Sequence, residues 1–252
     1  MKSTSINKTR RRKVIGIILT YNCENMLEEL YKRVPRKFLD KIILVDDGSK
    51  DHTVKVAKKL GIPFYTHSNL GYGGNVKYAI NKALDLGADY IVEIHGDGQY
   101  DPSVIPQALK KMEKGYSLLL GSRFVDILQP IRDKMPIHRY VANILLSSIY
   151  RLVLQLNLSE FHTGFHIYSK DFISKVGFNN TSNGHLYSLE IIFQAQYKKL
   201  GVCEIPIKCN YKNTHTSVSM KKSIGYSFGS LVLSVQYLLA KVGFKYGIFA
   251  SY

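Results

Sequence analysis

The first 120 residues alternate short apolar runs with amphipathic stretches. Val14–Thr20 is an unbroken run of strand length. Residues 24–33 place Met26, Leu27 and Leu30 at helical spacing and are stopped by Pro35. The pattern predicts further strands at 41–45, 62–66, 90–94 and 116–120. Between them it predicts three helices: one capped by Ser49 or Asp51 and stopped by Gly61, one over 75–86 and one over 103–114. This rhythm predicts an α/β fold, a Rossmann-like, mostly parallel sheet with helices on both faces. Ligands of such sheets sit at the carboxyl ends of the strands, so the strand-ending residues are the place to look.

Two apolar segments follow. Residues 137–158 are apolar over most of a helical surface, with Arg139 and Arg151 as the main charged exceptions. From Ser223 to Ala240 no residue is charged, while Lys221, Lys222, Lys241 and Lys245 flank the run. As a helix this run would be roughly 27 Å long, just short of a bilayer core. Gly225, Gly229, Ser234 and Gln236 dilute it, which suits an interfacial or core-packed helix better than a span. The first 13 residues carry Lys2, Lys8, Arg10, Arg11, Arg12 and Lys13, no acid and no apolar leader, and read as a basic disordered tail. The expected organisation is a tail at 1–13, one α/β domain at 14–222 and an apolar C-terminal segment at 223–252.

Charge narrows the class of partner. Lys and Arg number 35 against 19 acids, a net +16, which calls for an anion: a nucleotide, a nucleic acid or a phospholipid surface. The cations are spread along the chain and no RNP-type aromatic motif is present, so no nucleic-acid partner is expected. With 45% hydrophobic residues the chain is too apolar for wholesale disorder. Cys23, Cys203 and Cys209 are too few and scattered for a disulfide framework or a zinc ribbon, which fits a reducing compartment.

The chemistry lies at two strand ends. Asp46-Asp47-Gly48-Ser49 offers two carboxylates to a base or ribose, or is a turn and helix cap. His95-Gly96-Asp97-Gly98-Gln99-Tyr100-Asp101-Pro102 combines an acid, two glycines and an amide. That set suits a divalent ion bridged to phosphate oxygens, or is a Gly-rich turn before a helix. There is no Walker lysine motif, and residues 71–75 (GYGGN) are not GxGxxG. A nucleotidyltransferase would carry a Gly-rich loop with a cation after its first strand, and LTYNCEN does not.

LTYN (19–22), VDDGS (45–49), Asn69–Gly71, HGDGQYDP (95–102), GSRF (121–124) and HTGFHIYS (162–169) occur in that order. The ordered set resembles family 2 glycosyltransferases of the GT-A fold, in the dolichyl-phosphate mannose synthase-like branch, over roughly residues 14–230. The resemblance implies an inverting transfer from a UDP- or GDP-linked sugar, dependent on Mg²⁺ or Mn²⁺. The implied acceptor is a polyprenyl or dolichyl phosphate, met by an enzyme peripheral on the cytoplasmic face of a membrane. It implies a nucleotide-sugar pocket at Leu19, Tyr21, Asp46, Asp47, Gly71, Gly96, Lys212 and Ser217. It implies a metal at Asp97 and Gln99, with His95 standing where the family has the first acid of its DxD motif. Asp97, Arg123 and Glu190 are the implied catalytic residues: Arg123 near a phosphate, Glu190 near the acceptor. The chain departs from the family pattern at Leu19, Cys23, Glu160, His166 and Lys212. A glycan hydroxyl acceptor and a non-catalytic sugar-nucleotide binder remain as alternative readings.

Overall fold

The computed structural model describes residues 11–211 and 220–250, the latter with side chains from residue 225. Lys2, Lys8, Arg10, Lys212 and Ser217, and the side chains of Lys221 and Lys222, lie outside the described residues. The predicted alternation is present as β1 (Val14–Thr20), α1 (Leu27–Arg33), β2 (Lys41–Asp46), α2 (Thr53–Lys59), β3 (Phe64–Thr66), α3 (Tyr72–Asp85), β4 (Tyr90–His95), α4 (Ile105–Met112) and β5 (Leu118–Ser122). The second half adds α5 (Gln129–Arg132), α6 (Ile137–Leu154), β6 (His166–Ser169), α7 (Lys170–Lys175), α8 (Tyr187–Tyr197), β7 (Val202–Pro206) and α9 (Met220–Lys241).

The strands form one sheet in the order β3-β2-β1-β4-β6-β5-β7. All neighbours are parallel except β6, which runs against both β4 and β5. The strands are buried on both faces, so alternate residues enter two different cores. Ile15, Ile17, Ile43, Val45, Leu118 and Leu120 pack with residues of α3, α6, α8 and α9. Ile18, Leu44 and Leu119 pack with residues of α1, α2 and α4 on the other side. Each such fully buried aliphatic side chain contributes about 1.5–3 kcal/mol relative to exposure.

Of the boundaries that differ from the sequence reading, three have a local reason. The helix expected from Asn75 begins at Tyr72, because Gly71 turns the chain at φ +80° and the first helical turn then takes up Gly73 and Gly74. The last strand of the first half ends at Ser122 instead of Leu120, paired with β7 through Gly121 and Ser122. The helix expected to reach residue 158 stops at Leu154, where Gln155 takes the left-handed conformation at φ +52°.

Candidate active site

The parallel strands β1, β2, β4 and β5 end along one edge, and the reversed β6 begins there. At that edge the Gly96 N–H donates to the Leu19 carbonyl at 2.8 Å, so the turn after β4 closes against the end of β1. The Leu19 side chain itself is core, and Tyr21 stands half exposed on the loop above. Asp46 and Asp47 are both buried and order this edge. Asp46 accepts from the Thr20 hydroxyl at 3.0 Å and from the Ser49 N–H at 2.9 Å. Asp47 accepts from the N–H groups of Leu70 (2.6 Å) and Gly71 (3.1 Å), fastening the loop that starts α3. Burial raises the Asp47 carboxyl against these backbone bonds.

Asp97 lies at the tip of the next turn. One of its carboxylate oxygens accepts from the Gln99 N–H at 2.9 Å. Among the described residues nothing donates to its other oxygen. Gln99 is tied down by its backbone: its carbonyl accepts from the Asn210 N–H at 2.8 Å. His95 is enclosed by aromatic rings of Tyr72 and Tyr100. Its Nε2 lies 2.7 Å from the Gly164 carbonyl oxygen and 3.3 Å from Glu93 Oε1. Among the described residues no group of three His, Cys, Asp or Glu side chains could hold a metal ion. The donors on offer are therefore one carboxylate oxygen of Asp97 and one imidazole nitrogen of His95. So small a set fits an ion that takes most of its ligands from a diphosphate and water.

Beneath His95 lies a buried carboxylate that the sequence reading passed over. Glu93 is two residues earlier on β4 and faces the same side of the sheet. It has no solvent exposure and accepts from Tyr72 (2.7 Å), Tyr168 (2.5 Å) and His166 Nδ1 (3.0 Å). Burial pushes its carboxyl up, but the bonds and charge of His166 and His95 overrule that and hold it at about 2. Burial lowers His95 while the Glu93 bond and charge raise it, with a net rise. The available signal was one acid inside an otherwise apolar strand, YIVEIH.

Arg123 follows directly on β5 and is buried. Its backbone N–H and its Nε both donate to Glu160, at 2.7 and 2.9 Å, and its Nη2 also reaches that carboxylate. Nη1 donates to the Tyr211 hydroxyl at 2.7 Å and Nη2 to the His162 carbonyl at 2.6 Å. The guanidinium therefore organises the loop before β6, and little of it is left to face a phosphate. Burial lowers its affinity for a proton, yet Glu160 more than compensates and raises it. Glu190, on the first turn of α8, accepts from the Ser182 N–H at 2.7 Å. Burial raises its carboxyl, partly offset by Ser182 and the charge of Lys77. Its contacts are thus with the 181–184 loop, not with the 95–99 turn. That loop in turn holds α3, since the Asn183 carbonyl accepts from Gly73 N–H at 2.8 Å.

The three cysteines are free and buried, and burial pushes the Cys23 thiol up to about 12. Nothing in this edge is built for thiolate chemistry.

A model of glycosyl transferase family 2 matches residues 17–177. The chain belongs to this family. It is 28% identical to a UDP-N-acetylglucosamine–dolichyl-phosphate N-acetylglucosaminyltransferase of Methanococcus voltae, over 90% of this chain and 95% of that one. It is 26% identical to a polyprenol monophosphomannose synthase of Mycolicibacterium smegmatis, over 78% of this chain and 77% of the relative. Among solved structures it is similar to glucosyl-3-phosphoglycerate synthase of Mycobacterium tuberculosis in complex with Mn²⁺, UDP and glucosyl-3-phosphoglycerate. The TM-score is 0.65 at 15% identity, covering 92% of this chain and 80% of that one. That likeness fixes the fold of this family 2 glycosyltransferase as GT-A.

Proposed function

We propose that this glycosyltransferase moves a sugar from a nucleoside-diphosphate sugar onto a polyprenyl-type phosphate at the cytoplasmic surface of a membrane. One observation carries the choice of acceptor: two helices with exposed apolar stripes are hydrogen-bonded into the candidate active site. On α6, Ile137, Val141, Leu145 and Leu152 fall on one helical stripe and are exposed, Leu152 to 80%. On α9, Phe228, Leu231, Val232, Val235, Leu238 and Leu239 form a second exposed stripe, with Val242 just past the helix end. The helices are joined by the Tyr150 hydroxyl donating to Ser230 at 2.6 Å. From α6, Asn143 donates to Glu160 at 2.9 Å, and Glu160 holds Arg123. From α9, the Tyr226 hydroxyl lies 2.8 Å from His162 Nδ1, two residues before Gly164. Arg139, Arg151, Lys241 and Lys245 flank the stripes, as an anionic leaflet requires. Among the described residues no helix is long and apolar enough to cross a membrane, so attachment would be by these faces.

In this reading the Asp46 and Asp47 loops, with Leu19, Tyr21, Gly71 and Gly96, frame the nucleoside. Asp97 and His95, with Gln99 beside them, would hold Mg²⁺ or Mn²⁺. Such an ion stabilises the charge that develops on the leaving diphosphate. An acceptor phosphate is already anionic and needs no strong general base, so Glu190 is not required to remove a proton. Residues of the segment around Lys212 and Ser217 would add contacts to phosphate. Attack opposite the leaving group inverts the anomeric centre. The test is transfer from UDP- and GDP-sugars to a polyprenyl phosphate in anionic vesicles, with product read by lipid extraction. The wild type forms a glycosyl phospholipid, and Asp97→Ala loses at least about a hundredfold in rate while keeping its Tm. Transfer to soluble glycans alone would point instead to a hydroxyl acceptor.

A further inference from the structure

His95 stands where an ion would be met, and its two ring nitrogens are in unlike surroundings. Nε2 faces the Gly164 carbonyl oxygen at 2.7 Å and Glu93 Oε1 at 3.3 Å. Both are acceptors, because a carbonyl never donates and Glu93 already receives the Tyr72 and Tyr168 hydroxyls and His166 Nδ1. Nε2 must therefore carry the hydrogen. Nδ1 has no partner among the described residues and is not one of the buried unpartnered polar atoms, and the side chain is 19% exposed. The arrangement is held from every direction. The Gly164 N–H donates to the Tyr100 hydroxyl at 2.9 Å, and a Cβ on residue 164 would lie 2.6 Å from His95 Nε2. Turning the ring over would take Nε2 from both acceptors.

A ligating imidazole ordinarily donates its other N–H to a carboxylate or carbonyl, which sets its tautomer and makes the ligating nitrogen more basic. Here both kinds of acceptor are present on one nitrogen. We propose that Glu93 is a positioning residue that acts through His95, presenting Nδ1 to the ion and making the site select Mn²⁺ over Mg²⁺. The inference rests on the proposed nucleotide-sugar reading. Mg²⁺ keeps oxygen ligands and its waters, while a first-row transition ion accepts a nitrogen at little cost. An acid at position 95 would present oxygen to either ion alike. An ion at Nδ1 occupies the place a second ring proton would otherwise take, so the two compete.

The test is binding, not turnover. UDP and GDP are titrated into the full chain with Mn²⁺ or Mg²⁺, and the complex with Mn²⁺ is examined by pulsed electron paramagnetic resonance for coupling to imidazole ¹⁴N. The expected result is nucleotide binding about tenfold tighter with Mn²⁺ than with Mg²⁺, with ¹⁴N coupling present. His95→Asp should bring the two ions within about threefold and abolish the coupling. Glu93→Gln should narrow the ratio between the two ions, and an unchanged ratio in the folded variant overturns its positioning role. Should Glu93→Gln fail to fold, the wild-type coupling and the His95→Asp ratio still decide. Equal binding with both ions, or absent coupling in a complex that binds nucleotide, overturns this inference and leaves the nucleotide-sugar reading standing. Failure of UDP and GDP to bind with either ion overturns both.

Discussion

Arg123 and Glu160, 37 residues apart, are joined twice over: the backbone N–H of Arg123 and its guanidinium both donate to the same carboxylate. The pair ties the end of β5 to the loop that enters β6, and Asn143 adds α6 to the same carboxylate. A charge pair of this kind is costly to break from one side, because the remaining charge is left buried.

Glu160→Gln should therefore destabilise the protein by about 3–5 kcal/mol in urea unfolding. The double variant Arg123→Met/Glu160→Leu should recover part of that loss. A double variant as unstable as the sum of the single ones would show that the pair is not a unit.

Gly71 offers a second stability test. Its φ of +80° and a Cβ position 2.8 Å from the Asn183 carbonyl oxygen leave no room for a side chain. Gly71→Ala should cost about 2 kcal/mol or more, from left-handed strain plus displacement of the 181–184 loop. Because Asp47 grips the Leu70 and Gly71 N–H groups, UDP or GDP binding by calorimetry should weaken too.

The Glu190 carboxyl, raised by burial above its ordinary 4.5, sets a pH dependence. Its native form binds the proton more tightly than the unfolded chain does. That contribution is present below 4.5 and is lost as pH rises through the raised native value. Relative to wild type, Glu190→Gln should gain Tm steadily over that interval and hold a constant offset above it. A difference in Tm that does not vary with pH would refute the assignment.

The apolar stripes make a prediction about attachment. Leu145→Ser, Leu152→Ser and Val235→Ser together should cut co-sedimentation with anionic vesicles at least about tenfold, since each removes apolar area from the membrane interface. Tm in vesicle-free buffer should hold or rise, because these side chains are exposed in the free protein. Unchanged vesicle binding would move the contact elsewhere.

The first half of the fold was legible because its strands are unbroken apolar runs and its helices amphipathic. Asp97 and the Asp46–Asp47 pair could be singled out because strand ends are where such sheets bind ligands. Strand β6 was not read as one: HIYS is short, carries His166 and Ser169, and its burial is made tolerable by Glu93, which is 73 residues away. The role of Arg123 was hidden for the same reason, since the acid that occupies it is distant in sequence. Period and composition report neighbours along the chain, and both of these bonds are long-range. Glu93 was masked by its setting, a single acid in a run of apolar residues.

The reversal of β6 has a mechanical consequence. A strand running with its neighbours would have carried residues 162–165 to the opposite rim. Running backwards, it leaves them at the edge where the parallel strands end, with Tyr226 at one end of the thread and the His95 ring at the other. The backward course of one four-residue strand is thus what lets a distant helix and the imidazole share a single short stretch of chain.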